Sequence, residues 1–165
     1  MKVLVTYMTQ SGNTRKVAEA IYGEIKTDKE ILPLQEVESL QGYDLSFIGF
    51  PIVRFGPEEA VRTFLKQHTR GKRIVLFITH AAPEESPALS QWFAPAQEAA
   101  SGAELVGLFN CQGALAQPVK EFMLNSSNPQ LEEWAKHDTS QGQPDAKRLE
   151  RARSFAREIM DRVKA

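Results

Sequence analysis

Short apolar runs rich in β-branched residues alternate with segments of helical spacing, and the pattern recurs five times along the 165-residue chain. The first run is Lys2 to Tyr7. Behind it, across Thr14 to Lys26, Val17, Ala18, Ile21 and Ile25 recur at intervals of three and four, the period of a helix with one buried face. Glu30 to Leu34 is weaker, and its Pro33, which has no amide to donate to a ladder, suits the edge of a sheet. Leu45 to Phe50 is the third run. Pro57 to Gln67 reads as the next helix, with Ala60, Val61, Phe64 and Leu65 turned inward and Pro57 at its tolerated first position. Arg73 to Ile78 is almost continuously apolar, as a parallel strand covered on both faces must be. A helix over Glu85 to Ser101, a strand over Glu104 to Asn110 and a closing helix over Asp145 to Lys164 complete the series. Alternation of this kind in one domain predicts a parallel sheet with helices on both faces, and right-handed crossovers restrict it to a few doubly wound arrangements. Residues 112–144 break the rhythm: they are polar, with Asn125-Ser126-Ser127-Asn128-Pro129 and Gly142-Gln143-Pro144 as breakers, and they predict an irregular excursion.

Composition narrows the function classes. The chain is 42% hydrophobic and 25% charged with a single cysteine, which excludes disorder and a disulfide scaffold, and no apolar run is long enough to span a membrane. Twenty basic against twenty-one acidic residues, net −1, argue against a general nucleic-acid binder. The basic excess over 145–165 is what a solvated helix face shows. One cysteine and no hydrophobic leader make the cytoplasm the expected compartment. His68, His80 and His137 are far apart and no His/Cys/Asp cluster has metal-ligand spacing, so no metal is expected.

In doubly wound sheets the ligand lies beyond the carboxyl ends of the strands, where strand order reverses. The positions to read therefore follow Tyr7, Phe50 and Ile78. After Tyr7 comes Met8-Thr9-Gln10-Ser11-Gly12-Asn13-Thr14, leading straight into the first helix. Gly12 permits a tight turn, the helix start offers unpaired amides, and the hydroxyls of Thr9, Ser11 and Thr14 with the amide of Asn13 add neutral donors. There is no lysine after the glycine and no Gly-x-Gly-x-x-Gly, so this is neither a nucleoside-triphosphate loop nor a dinucleotide fingerprint. Neutral donors suit a terminal monophosphate.

Thr9-Gln10-Ser11-Gly12-Asn13-Thr14 resembles the phosphate-loop signature of the flavodoxin family, and Tyr43-Asp44-Leu45 leading into Gly49-Phe50-Pro51 is similar too. The resemblance covers residue 1 to about 111 and the final helix. It implies a flavodoxin-like three-layer sandwich with a five-stranded parallel sheet in the order 2-1-3-4-5. It also implies FMN as cofactor, one-electron chemistry, and redox partner proteins, a reductase donor and an acceptor enzyme. Thr9, Gln10, Ser11, Gly12, Asn13 and Thr14 would then hold the phosphate. Pro51, Ile52, Val53, Arg54 and Phe55 after the third strand would flank the ring, with Thr79, His80, Ala81 and Ala82 after the fourth. Within this pattern Val53 stands where the family commonly has an aromatic, with Phe55 as the substitute two positions on. Arg54 would place a cation where the family usually has acidic residues, giving a less negative low potential because opposite charges attract.

His80 is expected at the mouth of the crevice, where an imidazole is able to donate a proton near neutrality. Cys111 reads as a small buried hydrophobe, and Trp92 and Trp134 as packing residues. The length of 112–144 suits covering the cofactor or presenting a docking face. Two other functions remain open: an FMN-dependent NAD(P)H reductase of quinone-like acceptors, built around His80 and Arg54, and a binding module that keeps the fold without flavin. The near-neutral charge points to a partner chosen by local pattern more than by a broad negative face.

Overall fold

The computed structural model describes residues 1–164. In chain order the elements are β1 (Lys2–Tyr7), α1 (Asn13–Glu24), β2 (Asp28–Pro33), a 3-10 turn (Leu34–Glu36), β3 (Leu45–Pro51), α2 (Glu59–His68), β4 (Arg73–His80), α3 (Leu89–Ala99), β5 (Glu104–Gln112), α4 (Gln117–Leu124), α5 (Pro129–Lys136) and α6 (Ala146–Lys164). The five strands form one parallel sheet in the order β2-β1-β3-β4-β5, as expected, with Pro33-bearing β2 at an edge.

Successive strand residues point to opposite faces, and each face carries its own core. Val3, Val5, Phe47, Val75 and Phe77 pack on one side against Val17 and Ile21 of α1 and Ala152, Ala156 and Ile159 of α6. Leu4, Ile48, Ile74, Leu76 and Ile78 pack on the other against Val61, Phe64 and Leu65 of α2 and Leu89, Phe93 and Ala96 of α3. Both faces are therefore apolar along the central strands, which explains the unbroken run in β4.

Several boundaries move. α2 begins at Glu59, with Pro57 buried ahead of it rather than at its first position. α3 begins at Leu89 because Pro87 disfavours helical backbone at Ser86, and residues 83–88 form turns instead, closed by Ser86 N–H to the Pro83 carbonyl (3.0 Å). β4 and β5 run on to His80 and Gln112, so Thr79 pairs with Cys111 and His80 with Gln112. The larger correction concerns 112–144, expected to be irregular: it carries α4 and α5, which pack on each other. Asn128, read from the sequence as part of a breaker, caps α5 by accepting the Gln130 amide (3.0 Å), and Pro129 starts the helix where its missing N–H is harmless.

Candidate cofactor site

β1 remains tied to β3 through Met8 N–H to the Gly49 carbonyl (2.9 Å), and the chain then leaves the sheet where strand order reverses between β1 and β3. Gly12 takes φ +92°, a left-handed turn that puts the following residues straight into α1. Its amide donates to Thr9 Oγ1 (3.0 Å) and its carbonyl accepts the first helical bond from Lys16 (3.1 Å). The amides of Asn13, Thr14 and Arg15 have no acceptor among the described residues. With the exposed Ser11 hydroxyl they form an uncharged donor set at the positive end of the helix dipole. The guanidinium of Arg15, on the first turn of α1, is engaged with Glu19 (2.8 Å).

Three other side chains of the loop act as struts. Gln10 donates to Glu58 at the start of α2. Asn13 donates to the Ala114 carbonyl beyond β5 (2.9 Å). Thr14 shares a buried hydroxyl–hydroxyl bond with Thr79 at the end of β4 (2.9 Å). Of the six residues expected to hold phosphate, Thr9 and Ser11 thus keep their hydroxyls at the open donor set, Gly12 shapes the turn, and the side chains of Gln10, Asn13 and Thr14 fix its position.

After β3, the Ile52 amide donates to the Thr79 carbonyl (2.8 Å) and joins this loop to the end of β4. Val53 and Gly56 then close a two-residue turn, with N···O distances of 2.8 and 3.3 Å. Its central residues, Arg54 (φ +51°) and Phe55 (φ +69°), are both left-handed, a conformation that costs a non-glycine residue about 1–2 kcal/mol. Both are exposed. The Phe55 ring centroid lies 5.5 Å from that of Trp92 on α3 and 5.4 Å from that of Trp134 on α5, and the two indoles are 6.1 Å apart. An aromatic surface is present, but it comes from Phe55, Trp92 and Trp134 rather than from position 53. Trp92 and Trp134 were legible only as packing residues, since nothing local in the sequence brings α3 and α5 together.

After β4, the expectation for His80 changes. Its side chain is turned into the protein, with 3% of the residue exposed, Nδ1 2.9 Å from the Ala82 carbonyl and Nε2 2.9 Å from Asn110 Oδ1. Burial pushes its pKa down, against the smaller upward pull of those two bonds. The Ala81 carbonyl is taken by Gln112 Nε2 (2.8 Å). Glu84 ties the loop to α6 through Arg148 (3.1 Å) and Arg151 (2.9 Å) and accepts the Gln112 amide (3.1 Å). Burial raises the Glu84 pKa, but these donors outweigh it and hold the carboxyl below the usual range.

The chain beyond β5 is fastened to both loops. Gly113 donates to the His80 carbonyl (2.8 Å), and a Cβ on Gly113 would lie 2.8–3.0 Å from the Asn13 side chain, so a larger residue would have to displace it. Further on, Gln112 Nε2 reaches Thr139 Oγ1 (2.9 Å), Leu115 N–H reaches Ser140 Oγ (2.8 Å), and Lys120 pairs with Asp138 (3.2 Å). Burial opposes ionisation of Asp138, yet Ser140 and Lys120 keep its pKa lowered. Cys111 is fully buried, and desolvation pushes its thiol up to about 12, which leaves it without thiolate at neutral pH.

An uncharged donor set at the end of β1 and an exposed aromatic surface at the turn after β3 are features suited to a ligand with one phosphate and a flat ring. Among the described residues, no group of three His, Cys, Asp or Glu side chains is placed to hold a metal ion, and no helix is long and apolar enough to cross a membrane. The flavodoxin-like domain-containing protein BilS of Clostridioides difficile (strain CD3) is 28% identical over 171 residues, covering 97% of each chain. A solved flavodoxin from the domain Archaea shares the fold with a TM-score of 0.63 at 18% identity, over 100% of both chains. A flavoprotein from Lactobacillus acidophilus NCFM, solved in complex with FMN, aligns with a TM-score of 0.51 at 24% identity, over 66% of this chain and 92% of that one. A family model described as a flavodoxin domain matches residues 4–157, and the chain belongs to the flavodoxin family.

Proposed function

We propose that the protein binds FMN and carries electrons between protein partners, a reductase that donates them and an enzyme that accepts them. The observation that carries this reading is the uncharged set of amides and hydroxyls at residues 9–15, placed at the reversal of strand order. FMN, when bound, supplies the one-electron chemistry. Thr9, Ser11 and the helix-start amides hold its phosphate, and the loops after β3 and β4 flank the ring. The FMN complex of the Lactobacillus flavoprotein supports this choice of cofactor.

A carrier is favoured over an enzyme with its own small substrate by what the nearby proton-bearing side chains do. His80 has both ring nitrogens engaged inside the protein and Cys111 is buried, so neither is placed to protonate a substrate. The exposed Arg54 and Phe55 leave the ring side open to a protein surface. Transient redox encounters use small interfaces, below about 1,200 Å².

Purified protein is mixed with FMN, freed of excess and reduced stepwise while its absorption is followed. The carrier reading expects retained flavin, reduction in two separate one-electron stages, and negligible turnover with NAD(P)H. Sustained NAD(P)H oxidation with a quinone acceptor would replace it by the reductase reading. Protein that retains no flavin would leave a binding module on this fold.

A further inference from the structure

Phe55, Trp92 and Trp134 come from three separate elements, the turn after β3, α3 and α5, and meet at the edge of the site. Two of them are half-exposed, Phe55 at 49% and Trp134 at 42%. Large aromatic side chains gathered and left open in this way mark a binding surface more often than a core. Their geometry agrees: interplanar angles of 45°, 73° and 62° mean that no pair is stacked face to face, so ring faces remain for a further flat partner. Phe55 is held there by a turn that its own side chain disfavours, with φ +69°.

Trp134 stands apart from the other two because it lies on α5, which follows β5, away from the loops after β1, β3 and β4 and the helices they lead into. Its helix is nevertheless fixed to those loops. Asn13 of the phosphate loop holds the Ala114 carbonyl, Gln112 bridges Ala81 to Thr139, and Asp138 just past α5 is paired with Lys120 of α4. The entry to the helical pair and the turn that leaves α5 are thereby fastened to the walls of the site.

We propose that Trp134 is a ring-contacting residue of the cofactor site, so that the α4–α5 pair forms one wall of the place where the ligand's flat ring lies. The inference rests on the FMN reading above. An indole presented to a planar ring adds affinity that depends on the ring and is indifferent to the phosphate.

Two ligands separate those parts: FMN, and riboflavin, which has the ring and no phosphate. Binding is followed by quenching of flavin fluorescence. Trp134→Ala weakens both flavins by about 10-fold, and Trp134→Phe, which keeps a π-face, recovers most of the loss. Ser11→Ala weakens FMN and leaves riboflavin unchanged. If circular dichroism shows that the alanine variant has lost its fold, Trp134→Leu gives the same reading, since it keeps bulk and removes the π-face. Equal flavin binding by wild type and a folded Trp134→Ala or Trp134→Leu protein would overturn the inference and leave the FMN reading standing. Wild-type protein that binds neither flavin would overturn both.

Discussion

The loop between β1 and α1 and the segment between β5 and α6 meet where Asn13 packs against Gly113 and donates to Ala114, yet they are built by opposite means. The first is short and shaped by backbone: one left-handed glycine, one hydroxyl capturing the Gly12 amide, and a helix start. The second is long and shaped by side chains: Lys120 on Asp138, Ser140 on Leu115, Gln112 on Thr139. α4 contributes no fully buried residue, and Val119 and Phe122 are exposed at 47% and 70%. A backbone-built loop needs only its own few residues to be right, whereas the helical pair depends on polar contacts between residues far apart in sequence. The two regions should therefore fail separately.

The largest effect is expected at Asp138. Its side chain is 3% exposed, pairs with Lys120 and accepts the Ser140 amide (2.8 Å), so Asp138→Ala leaves two donors without their partner. A loss of about 2 kcal/mol would speed amide exchange across α4 and α5 by roughly 30-fold and leave α1 unchanged. Equal acceleration in α1 would show the two regions to be one cooperative unit. Acid should act in the same direction. Asp138 and Glu84 both have lowered folded-state pKa values, so the stability they contribute is fully present above the ordinary carboxylate pKa of about 4 and is lost as pH falls through the lowered values. Exchange measured across that range should loosen 113–140 and the β4 loop before it touches α1.

Gly12→Ala tests the other region. No atom lies within 4 Å of a Cβ built there, so the penalty is that of the backbone alone at φ +92°, about 1–2 kcal/mol in urea unfolding. Unchanged stability would mean that the turn does not need the left-handed conformation. Arg54 gives the smallest change. Arg54→Gly relieves the φ of +51°, but glycine's extra freedom in the unfolded chain offsets most of the gain, for a net within about 0.5 kcal/mol. Arg54→Ala keeps the strain and removes the charge, and on the FMN reading the lower flavin potential should become more negative. Potentiometry showing it unchanged or raised would rule out a role for this cation at the ring.

How much was legible follows the same division. The periodicity of Val17, Ala18 and Ile21, the apolar run of β4 and the edge position of Pro33 read directly, because each is a property of neighbouring residues. The tight turn at Gly12 and the helix start behind it read for the same reason. The pair α4–α5 did not, because Asn128-Pro129 is chemically the same signal for a turn and for a helix start, and only the packing partner decides between them. His80, expected at the crevice mouth, is buried there, and the sequence does not show that Asn110 and the Ala82 carbonyl take both of its nitrogens.

Local chemistry thus determined the strands, the helices of the two cores and the glycine turn that opens α1, since spacing and backbone freedom act over a few residues. Tertiary structure alone decided which loop side chains are engaged and which stay open: it buried His80, turned Asn13 and Thr14 into struts, and brought Phe55, Trp92 and Trp134 within ring-contact distance. The physical reason is that a contact between residues 55 and 134 is set by how α3, α5 and the sheet pack together, a sum of interactions that no short stretch of sequence contains.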